Sequence, residues 1–140
     1  MRKHTITMKI LSIKDYSGKL KASIQMSGRL NFSEDTGKTL GLKDKMSIKF
    51  AIDENGKLYC SFPKEDDEDA FKIRKAGRYF YVPTDLLFSS LGIDYKKINI
   101  QYNLVRAQLN DDELNGKTYR MDETLRTLRN KEEDMHEIIE

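Results

Sequence analysis

Seven basic side chains and a run of aromatics are the residues of this chain that could do chemistry. Lys19 and Lys21 precede Gly28-Arg29, and Lys72, Arg74 and Lys75 precede Gly77-Arg78. Holding a phosphate backbone takes several Lys or Arg side chains on one face, each contact adding salt-dependent affinity. Lys19 and Lys21 are two residues apart, as are Lys72 and Arg74, so on strands each pair projects from one face. The same alternation is how a half-exposed sheet keeps itself in water, so the spacing admits both readings. Tyr79-Phe80-Tyr81 follows Arg78, with Tyr95 and Tyr102 downstream. Strand aromatics flanked by basic side chains stack the bases of single-stranded nucleic acid. Alternation puts Tyr79 and Tyr81 on one face and Phe80 on the other; the expectation is that two of the three belong to the core.

Catalysis has little to work with. His4 and His136 stand near opposite ends of the chain with no Cys or Asp spacing that makes a metal site, and both read as surface residues. Cys60 falls in a strand pattern and reads as a small buried hydrophobe. Being single, it makes no internal disulfide, which fits a reducing cytoplasm. Thr36-Gly37-Lys38-Thr39 ends like a phosphate loop but lacks that loop's first glycine. The run Glu65 to Asp69 lacks the glycine and spacing of a calcium loop and reads as a solvated linker. The chain is therefore read as non-enzymatic, with no metal and no cofactor.

The elements that must position the basic residues follow from periodicity. His4 to Lys14 and Lys19 to Met26 alternate as strands around the turn Asp15-Tyr16-Ser17-Gly18. Ser33-Glu34-Asp35-Thr36 reads as a helix start, Ser33 being the cap, and Gly41 ends that helix. Met46 to Ile52 and Leu58 to Phe62 form a hairpin whose Asn55-Gly56 supplies left-handed conformations. Phe71 to Lys75 and Arg78 to Val82 are strands around Ala76-Gly77. Pro83 opens a helix running through Leu91, Lys97 to Arg106 is a strand, and Lys117 to Arg120 is a short one. From Met121, apolar residues at Leu125, Leu128, Met135 and Ile139 make a narrow stripe interrupted by Glu132. That predicts a helix over 121–140, packed on its own body or paired with a second copy in a homodimer.

Of 140 residues, 38% are hydrophobic and 34% charged, with a net charge of +2. The charge is segregated: residues 1–63 and 71–110 are basic, while 64–70 and 111–140 are acidic. Basic bodies attract polyanions. No apolar run follows the basic N-terminus, so no secretory signal or membrane span is read, and a cytoplasmic location is expected.

The two basic bodies repeat one another. Ser27-Gly28-Arg29-Leu30-Asn31-Phe32 returns as Ala76-Gly77-Arg78-Tyr79-Phe80-Tyr81. Leu40-Gly41-Leu42 returns as Leu91-Gly92-Ile93, and Met46 to Phe50 as Ile98 to Tyr102. A period near fifty residues implies two copies of one unit. The order hairpin, Gly-Arg, short helix, Leu-Gly-[Leu/Ile], strand resembles the SpoVT/AbrB-like swapped-hairpin family of transcription factors. Val82-Pro83 keeps that family's proline; Ser33 replaces it in the first copy, and Asp44-Lys45 stands where the family often has Gly-Asp. The resemblance implies DNA binding by basic side chains near the Gly-Arg strand, which carries over to Arg29 and Arg78. Two related sheet-plus-helix units also resemble the Pur-alpha-like single-stranded nucleic-acid-binding fold.

The expected architecture is mainly β (α+β): two hairpin–short helix–hairpin units, about 4–62 and 71–120, joined by the acidic linker 63–70. They form a small pseudo-symmetric barrel or sheet, plus the C-terminal helix. The expected function is nucleic-acid binding, duplex or single-stranded, by a regulator using Lys19, Lys21, Arg29, Lys72, Arg74, Lys75 and Arg78. The alternative is a protein–protein interaction or assembly module.

Overall fold

The computed structural model describes residue 8 and residues 20–109, 114 and 116–129. Its first helix, α1 (Glu34–Leu40), is set by local chemistry. The Ser33 hydroxyl accepts the Thr36 N–H at 3.2 Å, and Glu34 and Asp35 sit in the first turn, where their charge opposes the helix dipole. Gly41 ends it at φ 67, a left-handed position where a Cβ is costly. The second helix, α2 (Asp85–Ser90), starts after Thr84. Pro83 therefore precedes the cap rather than opening the helix.

Nine antiparallel strands make up the rest: β1 (Lys21–Ile24), β2 (Leu30–Phe32), β3 (Ser47–Ile52), β4 (Leu58–Pro63), β5 (Phe71–Lys72), β6 (Arg74–Ala76), β7 (Tyr79–Val82), β8 (Ile98–Ala107) and β9 (Gly116–Leu128). They form one sheet in the order β5-β3-β4-β9-β8-β1-β2-β7-β6. The predicted strand from Phe71 to Lys75 is split at Ile73 into β5 and β6, which stand at opposite ends of that order. The sheet is thus a nearly closed barrel whose ends meet in one stretch of chain. Ile73 fixes the seam: its N–H donates to the Met46 carbonyl at 2.8 Å, and its carbonyl accepts the Lys45 N–H at 2.7 Å.

The repeats interlock. β1 of the first copy pairs with β8 of the second, β2 with β7, and β4 with β9. Their inward residues make one core: Ile24, Leu30, Phe32, Ile48 and Cys60 from the first copy, and Ile73, Val82, Phe88 and Ile100 from the second, are fully buried. Burial at this level is the main favourable term, at about 25 cal/mol per Å² of apolar surface.

The β3–β4 turn differs from the expectation in detail. Only Gly56 is left-handed, at φ 81. Asp53 and Lys57 face each other across a three-residue loop, with the Asp53 carboxylate accepting the Asn55 and Lys57 N–H groups, both at 2.9 Å. That is a type I turn closed by a glycine bulge rather than a two-residue turn.

The acidic connector is not simply solvated. Asp67 pairs with Lys49 at 2.6 Å, and Asp66 pairs with Lys72 while accepting the Ser47 hydroxyl at 2.9 Å. The largest correction concerns the tail. Residues 121–128 are the second part of strand β9, which pairs with β8 from Ile98↔Leu128 to Ala107↔Thr118. Tyr119 and Met121 alternate with Thr118, Arg120 and Asp122, and Thr118, Thr124 and Thr127 favour strand. Thr124 is an extra residue opposite Gln101/Tyr102, and this bulge shifts the parity so that Met121 and Leu128 share the face of Ile98 and Leu104, while Leu125, opposite Gln101, lies on the other. A homodimer through a helix over 121–128 therefore has no helix to use; residues 130–140 lie outside the described residues. So do the expected strand His4 to Lys14 (apart from Met8), its turn, and both histidines.

Candidate nucleic-acid interface

The ladders that hold β1, β2 and β7 also decide which side chains share a surface. Ser23 pairs with Asn31 on one side and Gln101 on the other; Asn31 pairs with Tyr81, and Tyr81 with Arg74. Cross-strand partners project from the same face. The outward face therefore carries the row Gln101, Ser23, Asn31, Tyr81, Arg74, opposite the buried Ala22, Ile24, Leu30, Phe32 and Val82. A second row, one pleat along, is Asn103, Lys21, Ser33 and Tyr79, since Lys21 pairs with Asn103 and the ladders extend from Ala22↔Phe32↔Phe80.

Tyr79 and Tyr81 consequently point outward, and Tyr79 is 46% exposed. Phe80 alone of the three packs on the core, over Gly37 of α1, where a Cβ would stand 2.8 Å from the Phe80 ring. This corrects the expectation that two of the three are core.

The sequence echo and the ladder disagree by one residue, with a physical consequence. Aligning Gly28-Arg29 with Gly77-Arg78 matches buried Leu30 to Tyr79. In the sheet, however, Leu30 pairs with Val82 and Phe32 with Phe80. The inward positions are 30 and 32 in β2 and 80 and 82 in β7, and a one-residue slip exchanges faces. The turns absorb the difference. The β1–β2 turn spans 25–29, with Gly28 at φ 88, whereas the β6–β7 turn is the pair Gly77-Arg78, with Gly77 at φ 63. A side chain that echoes a core leucine thus faces out.

The basic residues divide. Lys21, Arg29 and Arg74 border this face and are exposed. The Arg29 guanidinium lies over the Tyr81 ring, 4.3 Å from its centroid, an arrangement that orients a cation against a π-face. Lys75 pairs with Phe80, placing it on the other side, and its N–H donates to Asp44 at 3.0 Å. Arg78 is exposed in the β6–β7 turn. In the antiparallel β2–β7 pair, Arg29 and Arg78 stand at opposite ends, with backbones roughly 17 Å apart along the strands. Lys72 serves the fold: its ammonium donates to Ser47 at 2.7 Å, to the Asp67 carbonyl at 2.9 Å and to Asp66. Lys19 lies outside the described residues.

A shallow cleft of about 280 Å³ opens in this face, lined by Lys21, Ser23, Asn31, Ser33, Tyr79 and Gln101. Sequence reasoning missed Asn31, Ser23 and Gln101, because nothing in their spacing reveals that β8 lies beside β1. Elsewhere, burial pushes the Cys60 thiol up to about 12, which leaves it protonated and inert. Among the described residues no group of His, Cys, Asp and Glu is placed to hold a metal ion, and no helix is long and apolar enough to cross a membrane.

Comparison with protein-family models, with curated proteins and with solved structures found no match.

Proposed function

We propose that this protein binds single-stranded nucleic acid on the outward face of β8, β1, β2, β7 and β6. One observation carries the reading: Tyr79 and Tyr81 stand on the same exposed face, with Arg29 stacked over Tyr81 and Arg74 its direct cross-strand neighbour. Solvent-facing tyrosines beside cations are what base stacking with phosphate neutralisation requires. Each stacked base contributes about 1–3 kcal/mol and tolerates any sequence. Lys21 and Arg78 extend the cationic border on either side. The pairing of β1 with β8 between copies is in keeping with the swapped-hairpin resemblance, and Arg29 and Arg78, the residues that resemblance singles out, are both exposed. A regulatory role in transcription belongs to the same proposal.

The test is fluorescence anisotropy with labelled single-stranded and duplex oligonucleotides at low and raised salt. Single strands are expected to bind more tightly, with affinity falling steeply as salt rises. Tyr79→Ala with Tyr81→Ala should weaken binding about tenfold or more, and Arg29→Ala with Arg74→Ala should flatten the salt dependence. Absence of binding at low salt, or a duplex preference untouched by the tyrosine substitutions, overturns the reading.

A further inference from the structure

We infer that the cleft beside Tyr79 is a one-base pocket that reads adenine through the side-chain amides of Asn31 and Gln101, so the single-strand face has a sequence preference. This rests on the proposed nucleic-acid reading and deepens it. Asn31 and Gln101 flank Ser23 in one row, on β2 and β8 with β1 between them, so their backbones are roughly 10 Å apart. The gap between them is floored by a hydroxyl rather than a bulky side chain. Among the described residues, no side-chain partner engages the amide of Asn31, the amide of Gln101 or the hydroxyl of Ser23. Two amides and a hydroxyl therefore offer donors and acceptors into one cleft.

The volume, about 280 Å³, is at the small end for ligand clefts, which start near ~300 Å³. It suits one base rather than several. Tyr79 forms one wall and supplies a stacking surface, and Lys21 stands at the rim, where a backbone phosphate would lie. Ser33 completes the lining, although its hydroxyl is committed to Thr36 at 2.8 Å and adds no free donor. An amide both donates and accepts from adjacent atoms. Asn and Gln therefore match the edge of adenine that carries the N6 amino donor beside the N7 acceptor. On the corresponding edge neither pyrimidine has a ring nitrogen, and guanine presents two acceptors.

Two measurements separate this inference from the reading beneath it. The first titrates adenosine monophosphate and thymidine monophosphate into isotope-labelled protein and follows backbone amide shifts. The adenine nucleotide is expected to move Ser23, Asn31, Tyr79 and Gln101 at concentrations where the thymine nucleotide does not. The second compares short oligo-dA and oligo-dT by anisotropy. An adenine preference of about tenfold is expected; Asn31→Ala and Gln101→Ala should each reduce it by weakening oligo-dA more than oligo-dT. Equal affinity for both oligomers, with the substitutions affecting both alike, overturns the pocket and leaves strand binding standing. Mononucleotide shifts without oligomer binding keep the pocket and overturn strand binding. Neither response overturns both.

Discussion

The Thr84 hydroxyl donates to the Gly28 carbonyl at 2.9 Å and ties the start of the second helix to the first hairpin's turn. The same oxygen accepts the Leu30 N–H at 2.9 Å, and all of it is buried. The approach is close because Gly28 has no side chain. A Cβ there would stand 2.6 Å from the Asp85 Cβ and 2.8 Å from the Tyr95 ring, on a backbone at φ 88.

Gly28→Ala should therefore cost about 2–4 kcal/mol, combining left-handed strain with overpacking. Urea unfolding measures it. Gly41→Ala, where a Cβ meets nothing within 4 Å, carries only the strain and should cost distinctly less. Equal losses at the two positions would show that the packing of Gly28 contributes nothing.

Thr84→Val keeps the shape and removes the hydroxyl. It leaves the buried Leu30 N–H without a partner, for a loss of about 1–3 kcal/mol. Thr84→Ser should recover most of it. The comparison is read from denaturant midpoints at constant slope.

Acid should weaken the connector. The Lys72 and Ser47 hydrogen bonds hold the Asp66 carboxyl below the usual aspartate range, and the Lys49 hydrogen bond does the same for Asp67. The bidentate Arg120 contact lowers Asp122 likewise. Groups with depressed values stabilise the fold at pH above the unfolded aspartate value, about 3.9, and the contribution disappears as pH falls through the lower folded values. The thermal midpoint should be level from neutral pH down to about 5 and fall below about 4. Asp66→Asn with Asp67→Asn should make that fall shallower.

Truncation after Arg120 should abolish cooperative unfolding rather than trim an appendage. It removes Met121, which is 2% exposed, and the pairing of β9 with β8 from Met121 to Leu128. Circular dichroism on heating checks it; a sharp transition near that of the full chain would contradict the described strand.

Local chemistry was legible, and long-range partners were not. Ser33 and Gly41 announce α1, because capping is written within a few residues. The duplication was visible because glycine-containing turns and Leu-Gly helix ends recur. What a strand lies beside depends on residues far away in sequence, so neither the β1–β8 pairing nor the Asn31–Ser23–Gln101 row could be read. The tail was misread for a definite reason: Met121 and Leu128 share a face only because the Thr124 bulge lies between them, so their seven-residue spacing carries no two-residue alternation. The contacts of Lys72 within the fold were missed because Asp66 and Asp67, read as solvated, turn back to bind it and Lys49. Lys45, at φ 70, was another silent position, held left-handed where the chain crosses Ile73.

Because β5 and β6 are one stretch that joins both margins of the sheet, neither copy owns a complete interior. A protease nick near Lys64 should yield two fragments that stay associated, and each fragment made separately should fail to fold until its counterpart is added. The two halves would then behave as an obligate heterodimer severed from a single gene product, useful as a split reporter whose reassembly also rebuilds the tyrosine face, since β2 comes from one fragment and β7 from the other.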